Sequence, residues 1–266
     1  NGYGILADTN SSQGMAWRVI GTGAINGLYC SPNASSASTK LDITFSGAVL
    51  RNTAGGIIAT NTASTLTVDI STSGPVALGR DSSSALSSSS SAYFYLIGSA
   101  NTVSAIVSAN SASPTLPTGY TTWQLAAAVR VVTAGQLLAT YVRGPVHSFQ
   151  AMQQVANNTG PTTVETSADI STAVPPIAQT VRYMLDVVGT AAAGTVSTSV
   201  TVRVVSGVTA ASMYYTCNSG GLDAASSWLD LPYVSNALYY NIANSTNITT
   251  MALIIRAQGY TIPNGA

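Results

Sequence analysis

Residues 92–149 read AYFYLIGSANTVSAIVSANSASPTLPTGYTTWQLAAAVRVVTAGQLLATYVRGPVHSF. The stretch opens on an aromatic-aliphatic run, Tyr93-Phe94-Tyr95-Leu96-Ile97. A polar turn and a second apolar run, 103–107, follow. Two prolines then stiffen a corner, Pro114-Thr115-Leu116-Pro117-Thr118-Gly119-Tyr120. Beyond it Trp123, Leu125, Ala127, Val129 and Val131 recur at a period of two, which places them on one face of a strand. The turn Thr133-Ala134-Gly135-Gln136 returns the chain into a further apolar run, 137–142. Period-two alternation punctuated by Gly, Pro, Ser and Asn is the signature of strands and turns. At least four antiparallel strands are expected here. The stretch carries no chemistry-bearing constellation and reads as a wall.

The same logic extends in both directions. Upstream, Leu41, Ile43 and Phe45 alternate, as do Leu66, Val68 and Ile70, with turns at 52–56, 71–74 and 81–91. Downstream, Val181, Tyr183, Leu185 and Val187 share a face. So do Val196, Thr198, Val200, Val202 and Val204; Met213, Tyr215 and Cys217; Leu238, Tyr240 and Ile242; and Met251, Leu253 and Ile255. Strands at near-regular spacing predict a sandwich or barrel. The expected fold is all-β, two antiparallel jelly-roll-like sandwich halves with very little helix. The polar breaker Asn157-Asn158-Thr159-Gly160-Pro161 marks the boundary. It divides an N-terminal sandwich with an irregular N-terminal arm, 1–156, from a C-terminal sandwich, 157–266. One short helix is expected over 148–156. Gly119-Tyr120-Thr121 and Gly259-Tyr260-Thr261 echo each other, a weak trace of duplication.

Composition narrows the function. Of 266 residues, 7% are charged and the formal net charge is zero, against about 25% charged in a typical soluble domain. Without a basic patch, binding of nucleic acid through its phosphates is not expected. A hydrophobic content of 46% supplies enough apolar side chains for a core and argues against disorder. No apolar run approaches the roughly 18 residues of a membrane-spanning helix, and no membrane partner is expected. No secretory signal is read at the start; Asn1 is taken to follow residues removed or lying outside the chain. Low net charge disperses a protein poorly, so the chain either has a tolerated hydroxyl-rich surface or, the favoured reading, buries much of its surface against neighbouring subunits.

Candidate chemistry is sparse. Glycoside hydrolysis needs two facing carboxylates. The nine acidic residues are Asp8, Asp42, Asp69, Asp81, Glu165, Asp169, Asp186, Asp223 and Asp230, and no two share a cleft-like context. Asp42 and Asp69 read as mid-strand residues on a solvated face. Asp81, Asp223 and Asp230 read as turn residues capping backbone N–H groups. The single histidine, His147, follows a strand and has no nucleophile elbow near it; it reads as structural. No zinc spacing exists, and Asp8-Thr9-Asn10 lacks the rest of a calcium loop. The run Gly21-Thr22-Gly23-Ala24-Ile25-Asn26-Gly27 has GxGxxxG rather than dinucleotide spacing and reads as a turn. Hence no catalytic, cofactor-binding or metal residues are assigned, and no cofactor. Cys30 and Cys217 are either one bridge or, the favoured reading, two buried free thiols. In the pairs Tyr214-Tyr215 and Tyr239-Tyr240, one ring faces the core and the other faces out. Outward tyrosines either stack on sugars or, the favoured reading, bury at subunit contacts.

The central block resembles a family of tailed-phage virion structural proteins, described as tail-fibre proteins. The resemblance rests on Tyr93-Phe94-Tyr95-Leu96-Ile97, on the corner Pro114-Thr115-Leu116-Pro117-Thr118-Gly119-Tyr120-Thr121, and on Ala127-Ala128-Val129-Arg130. Ala77-Leu78-Gly79-Arg80-Asp81 is similar to the family's GALGLD loop, and Val174-Pro175-Pro176-Ile177-Ala178 to its strand entry. The likeness is strong over 66–149 and faint beyond. The family's basic residues after the corner are replaced by Thr122-Trp123-Gln124-Leu125. The resemblance implies a non-enzymatic β-sandwich protein on the virion surface, assembled as a symmetric oligomer; a tail fibre or adhesion device is the leading reading of its place. Its implied partners are further copies of itself, as a trimer, and other virion proteins; a host cell-surface glycan is a further candidate partner. Three alternatives stand beside it: a capsid decoration protein, a carbohydrate-active depolymerase and an extracellular filament subunit.

Overall fold

A computed structural model describes residues 24–52, 56–60, 62–100, 102–133, 135–160, 163–208, 211–219, 222–243 and 247–263. The N-terminal arm, with Asp8, the apolar island 15–20 and Gly21 to Gly23, lies outside them. Among the described residues nineteen strands follow one another: β1 (Ala24–Asn26), β2 (Tyr29–Pro32), β3 (Lys40–Phe45), β4 (Gly47–Arg51), β5 (Ile57–Thr60), β6 (Ser64–Asp69), β7 (Ser91–Ser99), β8 (Thr102–Ser108), β9 (Thr122–Thr133) and β10 (Gln136–Leu137). Then come β11 (Thr140–Arg143), β12 (Val146–Thr159), β13 (Thr166–Asp169), β14 (Thr180–Ala191), β15 (Thr195–Arg203), β16 (Ala211–Asn218), β17 (Asp223–Pro232), β18 (Ala237–Ile242) and β19 (Ile248–Thr261). No helix occurs among the described residues, so the fold is all-β.

The strands form three antiparallel sheets. The largest runs β17-β14-β19-β12-β11-β2-β3-β6, so strands from both ends of the chain share it. A second contains β1-β4-β9-β7-β8 with β5 and β10 attached, and a third runs β13-β18-β15-β16. Ala156 and Asn157 are consecutive residues of β12, paired with Ile255 and Ile254 of β19.

The apolar run of β7 is explained by its position. Seven of its eight residues from Ala92 to Ser99 are buried, on both faces alternately. Phe94 and Leu96 belong to a core with Leu41, Ile43 and Phe45 of β3 and Val142 of β11. Tyr93, Tyr95 and Ile97 belong to a second core with Tyr183 and Leu185 of β14, Leu253 and Ile255 of β19, and Val200 and Val202 of β15. A strand with an interior on each side cannot alternate apolar and polar residues. Cys30 lies in the first core and Cys217 in the second, and both are free and buried.

Three expectations need correction. The five residues from Trp123 to Val131 do not share a face. The β7–β9 register steps from Phe94↔Ala127 to Tyr95↔Leu125, leaving Ala126 as an extra residue. Leu125 therefore packs in the second core, while Ala127, Val129 and Val131 pack in the first, because one inserted residue turns every later side chain over. The helix expected over 148–156 is instead part of β12. Strand pairing with β11 and β19 overrides the helix-forming Gln, Ala and Met residues there. The irregularity that survives is a wide bulge: Ser148 pairs with Gly259, and the next pair is Gln153 with Ala257. The GxGxxxG run also ends differently from a plain turn, since Ala24–Asn26 is strand β1 and Gly27, at φ 61°, makes the turn after it.

The outer faces carry few charges. Cross-strand hydroxyl pairs take their place: Thr44 with Thr65 at 3.0 Å, Thr180 with Thr261 at 2.7 Å, and Ser197 with Thr216 at 3.0 Å. Such pairs are the sheet's counterpart of helical i, i+4 contacts.

Candidate functional site

Each described acidic side chain is engaged within the fold. Asp42, on β3, accepts from Asn33 Nδ2 at 3.0 Å and from Thr67 Oγ1 at 2.6 Å. Asp69 ends β6, accepts from the Ser71 N–H at 2.8 Å, and lies 3.4 Å from Lys40 Nζ. Burial pushes its pKa up, but the Ser71 hydrogen bonds and Lys40 outweigh it and hold the carboxyl below the usual range. Asp81 accepts from the Thr115 N–H at 3.0 Å, tying a loop to the proline corner. Glu165 accepts from Ser206 and from the Gly207 N–H, which lower its pKa, with Arg203 adding to the effect. Asp169 accepts from the Ser171 N–H at 2.8 Å, and Asp186 is held by Ser226 and Arg256. Asp223, at the start of β17, accepts from the Asn218 N–H at 2.5 Å, as a turn cap does.

Asp230 departs from expectation. It is a strand residue, not a turn residue, and it meets Arg182 of β14 across the ladder in a two-pronged pair at 2.8 and 2.9 Å. Arg182 lowers its pKa, chiefly through these hydrogen bonds. Among the described residues no three His, Cys, Asp or Glu side chains converge as a metal site would require.

His147 is wholly buried and works as a joint between sheets. Its Nδ1–H donates to the Pro145 carbonyl at 3.1 Å, leaving Nε2 to accept from the Ala128 N–H at 3.3 Å. Its ring stacks on Tyr260 with centroids 4.8 Å apart, and the Tyr260 hydroxyl donates to the Ala128 carbonyl at 2.5 Å. In an antiparallel strand one residue's N–H and C=O point to the same side. Two side chains thus occupy both backbone groups of Ala128 on β9, as a neighbouring strand would. Burial lowers the His147 pKa to about 4, with the Pro145 hydrogen bond opposing.

The same region of the large sheet bears a depression of about 430 Å³ on its outer face, with Val146, Ser148, Thr180, Arg182, Asp230 and Gln258 among its walls. Its origin is local. Ser148, Gly259, Arg182 and Asp230 form one cross-strand row over β12, β19, β14 and β17. Gly259 leaves that row without a side chain at its centre. The β12 backbone presses so close that a Cβ on Gly259 would stand 2.1 Å from the His147 carbonyl oxygen. Gln258 is the extra residue of β19, where the pairing with β14 steps from Arg182↔Gly259 to Tyr183↔Ala257. The next row outward holds Trp228 and Met184 side by side, and Trp228 is 51% exposed.

Sequence reasoning missed this place. It requires the bulge at Gln258 and strands distant in the chain, neither of which leaves a local signal. The tyrosine pairs divide as expected in the clearest case, Tyr215 buried and Tyr214 83% exposed. Gly119 and Gly259 do not share a setting: the first turns at φ 91° before β9, the second lies within β19.

No family model matches the chain, and no curated protein does. Among solved structures it is weakly similar to the Bacillus thuringiensis insecticidal crystal protein Cry7Ca1, with 11% identity and a TM-score of 0.19 over 91% of this chain and 52% of that one. A tryptic core variant of Cry1Da from the same organism gives 10% identity and a TM-score of 0.16 over 93% of this chain and 53% of that one. The chain thus spans about half the length of these structures.

Proposed function

We propose that this chain is a non-enzymatic structural protein of a tailed-phage virion surface, working as a homo-oligomer in a tail fibre or adhesion device. The observation that carries the reading is the placement of the phage-like motifs. Tyr93 to Ile97 form the doubly buried β7, and Ala127 to Arg130 lie beside it in β9. The Ala77 to Asp81 loop runs along β8, with the Leu78 N–H on the Ala105 carbonyl at 2.7 Å and the Asp81 N–H on the Val107 carbonyl at 2.8 Å. The resemblance therefore falls on the scaffold, as it would in a family related by architecture. Two further facts agree with a non-enzymatic role. The carboxylates of the described residues are occupied by hydrogen bonds and ion pairs, and His147 has both ring nitrogens bonded to backbone. The trimer order rests on the resemblance alone.

Antibody labelling of purified phage particles that carry the gene tests the proposal. Gold at the tail tip or fibres supports it. Gold distributed over the shell supports a decoration protein instead. Particles free of the chain by mass spectrometry refute both. Release of sugar from capsular polysaccharide would favour the depolymerase alternative.

A further inference from the structure

We infer that the depression over Gly259, together with Trp228, is a subsite for a neutral saccharide. The inference rests on the adhesion reading for its setting and on the site's chemistry for its content. The depression lies on the outer face of the large sheet, with a floor of backbone at Gly259, where the β12 main chain occupies the place a Cβ would take. Its charged walls are one cation and one anion, Arg182 and Asp230, already paired with each other and each more than half exposed. A phosphate or carboxylate ligand would have to displace Asp230, and a cation would have to displace Arg182. A neutral ligand does neither. The outward oxygen lone pairs of Asp230 and the remaining N–H groups of Arg182 stay available to hydroxyls.

The other walls offer donors and acceptors in mixture: the Ser148, Thr180 and Thr261 hydroxyls and the Gln258 amide. Such a lining matches a ligand that carries many hydroxyls and no charge. Trp228 adds the apolar element. It stands two residues from Asp230 on the same face of β17, a spacing of roughly 7 Å. That is about the width of one sugar ring, so a ring lying against the indole can place its neighbour over the Arg182–Asp230 pair at the edge of the depression. Aromatic faces take the C–H side of a sugar while polar groups take its edge hydroxyls. Exposed Tyr214 belongs to β16 in the third sheet and has no part in this site.

The test uses the purified chain, so it is independent of where the protein sits on a particle. Maltohexaose, cellohexaose, mannohexaose and chitohexaose are titrated by calorimetry and by tryptophan fluorescence, with sialyllactose as the acidic control. Saturable binding of at least one neutral sugar is expected. Trp228→Ala and Arg182→Ala should each weaken it about tenfold or more, Trp228→Tyr should retain part of it, and Tyr214→Ala should leave it unchanged. All three positions are solvent-facing, and unchanged melting curves confirm that the variants fold. Absence of binding to every neutral sugar, preference for sialyllactose, or binding that survives both Trp228→Ala and Arg182→Ala overturns the inference, while leaving the virion-surface proposal standing.

Discussion

Acidification should loosen this protein through one side chain. His147 is fully buried, and burial lowers its pKa from 6.5 to about 4. As pH falls, the unfolded chain takes up the proton first, while the folded chain resists it. Stability from this group is complete above about 6.5, is lost progressively as pH drops toward about 4, and then levels off. A shift of this size corresponds to about 3 kcal/mol, a large share of a typical domain's total. The structural event is specific: an imidazolium cannot accept from the Ala128 N–H, so that backbone group loses its partner. Urea unfolding of the chain and of His147→Gln, measured from pH 7.5 to 4, isolates the effect, because the carboxylates contribute equally to both. The native chain should lose about 3 kcal/mol more than the variant across the window. The chain has a single histidine, so its imidazole signal can be followed by NMR without ambiguity. Titration near 6.5 in the folded state, or parallel pH slopes for the two proteins, would refute the reasoning.

Three other outcomes follow from the packing and the surface. Phe94→Ala and Tyr95→Ala empty opposite cores, and each should cost about 3–5 kcal/mol, read as a shift in urea midpoint; a loss below about 1 kcal/mol at either site would contradict burial on both faces of β7. Arg182→Ala should cost only about 0–1 kcal/mol, since the pair with Asp230 is exposed, and unfolding in about 1 M sodium chloride should differ little from that at low salt. Sedimentation at micromolar concentration should show an oligomer whose melting temperature rises with protein concentration, whereas a monomer with a concentration-independent melting point would remove the oligomer from the proposal.

The sequence made the strands legible because most of them have one dry face. Val181 to Val187, Leu238 to Ile242 and Met251 to Ile255 alternate in sequence and are buried in the same alternation. It was least informative where a strand departs from that rule. Ala126 is one alanine among three, and nothing in its neighbourhood announces that it is the extra residue of β9. The stretch from Ser148 to Met152 suits a helix by composition, and pairing with β11 and, at Ser148, with β19 holds it in a sheet. Of the candidate site, the sequence reads Asp230 as a turn residue; that it and Trp228 are outward residues of one strand is seen only in β17 itself. Their meeting with Arg182, Gly259 and Ser148 depends on the order β17-β14-β19-β12, which no local pattern encodes.

The middle sheet also bears on how such a chain can change over generations. A residue such as Leu96 or Ile97 answers to the neighbours of one core, while the residue beside it answers to those of the other. Substitutions that improve one side's packing have no free face into which β7 could shift to accommodate them. Drift should therefore be slow across 92–97 and fast on the hydroxyl-covered outer faces, where Ser and Thr exchange at little cost. A lineage built on this plan could renew its whole exterior, and with it whatever the exterior touches, around a strand that scarcely varies.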